Sequence, residues 1–121
     1  MRLLPGVVAP FALVAAINCA PSVAALPSEP PYIVGTITSI GRIAEGWSVR
    51  VEEHPQDVSG SAKGVFHVGD RTDVRRPSGA RASTADLHEG QRVRVWVAGP
   101  VMESYPVQAT ARLVVIEAEA R

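Results

Sequence analysis

Three histidines, His54, His67 and His88, are the most obvious candidate metal ligands in the chain. They fall on three separate segments, whereas zinc ligands usually come in pairs a few residues apart. Their spacing predicts no metal site. Ser104 stands beside Glu103, but sequence neighbours on an extended chain point to opposite sides, so a nucleophile and its base are not paired this way. Glu52 and Glu53 fail as an acid–base pair for the same reason. The chain contains no Gly-x-Ser-x-Gly, glycine-rich phosphate loop or His-Glu-x-x-His pattern. The expectation is a protein without enzymatic chemistry, cofactor or metal.

Two stretches could instead bind. In "QRVRVWV", residues 91–97, Val93, Val95 and Val97 share one face, and Arg92, Arg94 and Trp96 the other. An exposed arginine–tryptophan stripe would stack a flat ring and pair an anion. The competing reading, which is preferred, has Trp96 packing on the proline-rich leader or a barrel end, with arginine stems beside it. In "GPVMESYP", residues 99–106, a connection between strands carries Met102 and Tyr105 around Glu103 and Ser104. Gly99 and Pro100 predict a turn that breaks the preceding strand. The loop reads either as a plug anchored by Tyr105, which is preferred, or as a ligand-facing surface. The candidate ligand-binding residues are therefore Arg94, Trp96, Glu103, Ser104, Tyr105 and Gln108.

Short strands must position these residues. "YIVGTITSI" (32–40) is rich in β-branched residues, and "GWSVRVEE" (46–53) alternates, with Trp47, Val49 and Val51 on one side. "KGVFHVG" supplies a third strand around 63–68, and "VQATARLVVIEA" (107–118) a last long one. In the last, Val107, Ala109, Ala111, Leu113 and Val115 are expected on one face. Between them, "TDVRR" suggests a brief edge strand, and "STADLHEG" (83–90) a single helical turn with Leu87 tucked beneath the barrel. The pattern predicts an all-β domain over residues 32–118, a small five-stranded OB-like antiparallel β-barrel with one short helical turn.

The chain's start has the three parts of an export signal. Met1 and Arg2 precede an uncharged apolar run at 3–17, and "VAA" at 23–25 places small residues for cleavage after Ala25. The apolar run is broken by Pro5, Gly6 and Pro10 and is shorter than the ~20 residues that cross a bilayer. Residues 26–31, "LPSEPP", then form a proline-rich leader. The sole cysteine, Cys19, offers the alternative of a lipid anchor, but the preceding "AIN" lacks the small residue expected directly before it. Beyond Ala25 there are eleven basic and twelve acidic residues, a net charge of −1 with neutral histidines. That balance argues against a nucleic-acid partner held by bulk charge. The expected location is the periplasm or the exterior.

Residues 87–111, "LHEGQRVRVWVAGPVMESYPVQATA", resemble the YobA-like family of uncharacterised small bacterial extracytoplasmic proteins. The residues that carry the likeness are Gly99, Glu103, Ser104, Tyr105, Pro106, Gln108, Ala109 and Ala111. The resemblance implies an exported or membrane-anchored OB-like barrel, with no established activity and no catalytic residues to carry over. The combined expectation is a non-enzymatic binding module for a small polar or cell-envelope ligand. The alternative is a protein-interaction or structural module of the envelope that works through an exposed strand edge.

Overall fold

In a computed structural model, residues 25–54 and 61–118 are described. The segment expected to act as an export signal lies outside these residues except for Ala25, as do Cys19 and most of the loop at 54–62. Six strands follow in chain order: β1 (Ile33–Ile43), β2 (Gly46–Glu52), β3 (Lys63–Val68), β4 (Asp73–Arg75), β5 (Arg92–Met102) and β6 (Val107–Ala118). A 3-10 turn spans Thr84–Asp86. The strands form one sheet in the order β3-β2-β1-β5-β6-β4, and a further β3–β6 pairing joins five of them into a ring. The brief strand at "TDVRR" is thus real, and it makes a sixth member outside the ring. The sheet is not wholly antiparallel, because β3 and β4 both run parallel to β6.

Alternation fills the interior as expected. Val49 and Val51 of β2, Phe66 and Val68 of β3, and Val93 and Val95 of β5 are buried together. Each branched or aromatic side chain removed from water contributes ~1.5–3 kcal/mol. Leu87 joins this core beneath the 3-10 turn. The turn is held by Gln91, which is fully buried: its Oε1 accepts from the His88 N–H at 2.7 Å, and its Nε2 donates to the Asp86 carbonyl at 2.8 Å. A buried amide is tolerated here because both ends are satisfied.

The regular alternation expected of β6 does not survive. Trp96 of β5 pairs with Leu113, yet the next residue, Val97, pairs with Ala111. Arg112 is the extra residue of a bulge, which shifts the phase of the strand by one. Ala111, Val114 and Ile116 therefore enter the main core, while Leu113 and Val115 form a second cluster with Trp96. The bulge decides which residues face outward, and the proline-rich leader covers that outer face.

β5 also departs from expectation. "AGP" does not end it; the strand continues to Met102. Ala98 pairs with Thr110 and Met102 with Gln108, so four steps on β5 match two on β6. Gly99 supplies a positive φ of 72° in the excess segment, where the missing N–H of Pro100 breaks no regular ladder. The result is a β5–β6 hairpin that carries residues 98–110 beyond the β1 pairing, which reaches only Val95.

Candidate functional site

The six candidate ligand-binding residues fall into two separate groups. Arg94 and Trp96 lie on the outer face of β5, and that face is covered. Trp96 is only 2% exposed and packs with Leu113, Val115 and Leu26. Its Nε1–H donates to the Glu29 carbonyl at 3.0 Å, and the Glu29 carboxylate pairs with Arg112 at 2.6 Å. Arg94 pairs with Glu117 at 2.6 Å, with its guanidinium carbon 5.6 Å from the Trp96 ring centroid. The exposed arginine–tryptophan stripe is therefore corrected in favour of the preferred reading: Trp96 packs on the proline-rich leader, a strap laid across it. Alternation alone could not show this, because an outward residue and a covered outward residue have the same spacing.

Glu103, Ser104, Tyr105 and Gln108 lie at the other end, on the tip of the β5–β6 hairpin, and all are exposed. The plug expected from Tyr105 is also corrected, since its ring is 68% exposed. Among the described residues it is tethered only at its edge, where the phenol donates to the Ser61 carbonyl at 3.1 Å and Lys63 Nζ sits 5.7 Å from the ring centroid. Ser104 donates its hydroxyl to the Pro106 carbonyl at 2.7 Å, and its N–H to the Met102 carbonyl at 2.9 Å. The tip is thus shaped by local hydrogen bonds, with Met102 63% exposed beside it. Because Tyr105 buries little, Tyr105→Ala should lower stability by about 1 kcal/mol or less in thermal unfolding. A loss near ~3 kcal/mol, as for a buried aromatic, would restore the plug.

Two concavities adjoin this hairpin. The first is a shallow groove of about 430 Å³ lined by Ala98, Pro100, Val101, Met102, Gln108, Ala109 and Thr110. Of the six candidate residues only Gln108 lines it. The second, about 580 Å³, lies at the opposite end of β3 and is lined by residues that the sequence pattern did not single out for ligand binding, His67 having been weighed only as a metal ligand. They include Arg42, Glu45, His67, Asp70, Arg71 and Thr72, and Thr110 lines both concavities. Parallel pairing of β3 with β6 sets His67 opposite Thr110, where the two concavities border one another. A non-local pairing of this kind leaves no mark on local sequence. Among the described residues, no group of three or more His, Cys, Asp or Glu side chains is placed to hold a metal ion, and no helix is long and apolar enough to cross a membrane.

No curated protein and no solved structure matches the chain. Residues 58–116, which include β3 to β5 and most of β6, match the model of a family described as a protein of unknown function, DUF3221.

Proposed function

We propose that the protein is exported and acts as a non-enzymatic OB-like binding module for a small polar or cell-envelope ligand. The reading of the ring as an OB-like barrel is supported by its closure, in which β3 meets β6 in parallel and β5 returns to β1. The observation that carries the binding role is the groove under the β5–β6 hairpin, open and mainly apolar, with Met102 exposed at its rim and Gln108 on its wall. An apolar surface carried on an extended hairpin is unusual unless something covers it. Saturation-transfer NMR against soluble peptidoglycan and lipopolysaccharide-core oligosaccharides tests this. At least one fragment should bind saturably, and Met102→Asp, an exposed change, should abolish that binding. Saturable binding that ignores the substitution, or none at all, would reject the groove.

A second reading rests on the β5 edge. Beyond Val95 this strand pairs with β6 alone, so the other edge of Val97–Met102 has no partner strand among the described residues. A strand of an envelope protein added there would make this an interaction module. Cross-linking from position 98 or 102 to a protein, rather than saturation by glycan fragments, would favour it.

A further inference from the structure

The second concavity, at the β1–β2 turn, points to a ligand class. Its wall carries two arginines, Arg42 and Arg71, and two carboxylate residues, Glu45 and Asp70, so its formal charge is balanced. Neither arginine forms an ion pair within the described residues. Arg42 is held by stacking, its guanidinium carbon 4.9 Å from the Trp47 ring centroid. Stacking fixes the plane of the fork without using its N–H donors. His67 Nε2 lies 2.8 Å from the Glu45 carbonyl and ties the β1–β2 turn to β3. Thr72 is already committed, donating to the Ala111 carbonyl at 2.7 Å and accepting from the Gly69 N–H at 3.1 Å. Two arginines and two acidic residues thus line a space of about 580 Å³, within the range of small-molecule sites.

A phosphate or polyanion gains little from such a wall, because the carboxylates offset the arginines. A polyol gains from both signs, since each hydroxyl both donates and accepts. Across Thr110 the surface turns apolar, with Ala109, Ala98 and Val101. A ligand spanning both needs a hydroxyl-rich ring and a small apolar appendage. We infer that this cavity is a sugar subsite, and that the ligand is a neutral N-acylated amino-sugar oligomer whose acyl methyl lies in the hairpin groove. This inference rests on the binding role proposed above and specifies its ligand.

Calorimetric titration of the protein with tri-N-acetylchitotriose tests it, with cellotriose and inorganic phosphate as comparison probes. The expected result is saturable binding of the N-acetylated sugar, at least tenfold tighter than cellotriose, with no competition by phosphate. Arg71→Ala and Asp70→Asn, both at exposed positions, should each weaken it at least tenfold while the unfolding transition stays in place. Equal binding of cellotriose, competition by phosphate, or indifference to both substitutions would overturn the inference. Binding of another envelope fragment that responds to Met102→Asp but not to Arg71→Ala would overturn the sugar subsite and leave the binding module standing. Silence toward every fragment would remove both.

Discussion

Trp96→Ala should lower the stability of this domain by about 4 kcal/mol, in the range for truncating a buried large aromatic side chain. For a domain of this size that is on the order of 20 °C in Tm. The side chain is 2% exposed and is the centre of the cluster with Leu113, Val115 and Leu26. Its loss would leave a cavity and remove the donor that holds the Glu29 carbonyl. The strap would then lose its seat and retain chiefly the exposed Arg112–Glu29 pair, and exposed ion pairs contribute ~0–1 kcal/mol. Chemical denaturation of the variant beside Tyr105→Ala makes the contrast direct. Equal, small losses from both would mean that the strap does not seal the outer face of β5.

Gly46→Ala should cost about 3 kcal/mol or more, combining backbone strain with overpacking. Gly46 begins β2 with a φ of +127°, a conformation that side chains resist. A Cβ built there would run into the Val68 carbonyl oxygen and stand 3.1 Å from the Gly69 Cα, both of them backbone atoms. The β1–β2 turn would have to open, pulling on the neighbouring Trp47–Val68 pairing. Gly41, nearby on β1, is the control: a Cβ there meets nothing within 4 Å. Gly41→Ala should therefore leave the denaturation midpoint close to its original value. Matching losses at the two glycines would contradict the close approach at the turn.

Much of the scaffold was legible because β-branched alternation has a period that folding must respect. β3 and β6 fall where the sequence placed them, and Val49, Val51, Val93 and Val95 are interior as their spacing required. What failed was phase. The bulge at Arg112 moves Leu113 and Val115 to the outer cluster, and no local signal marks it. "AGP" reads as a break because glycine and proline usually end strands, but here a two-residue slip in register absorbs them. The candidate site was legible in part. The hairpin tip is exposed and Gln108 borders a groove, whereas Trp96 is covered by a strap contributed from 67 residues away in sequence. The polar cavity joins β1, β3 and β6 through non-local pairing, so Arg42, Asp70 and Arg71 gave no common signal.

A two-dimensional amide NMR titration with tri-N-acetylchitotriose would test most directly where the ligand surface lies. Saturable shifts should fall on Val101, Met102, Gln108 and Thr110, and continue to His67 and Asp70, while Arg94 and Trp96 remain still. Shifts centred on Arg94 and Trp96, or saturation without movement around Thr110, would contradict a ligand surface that joins the hairpin groove to the polar cavity.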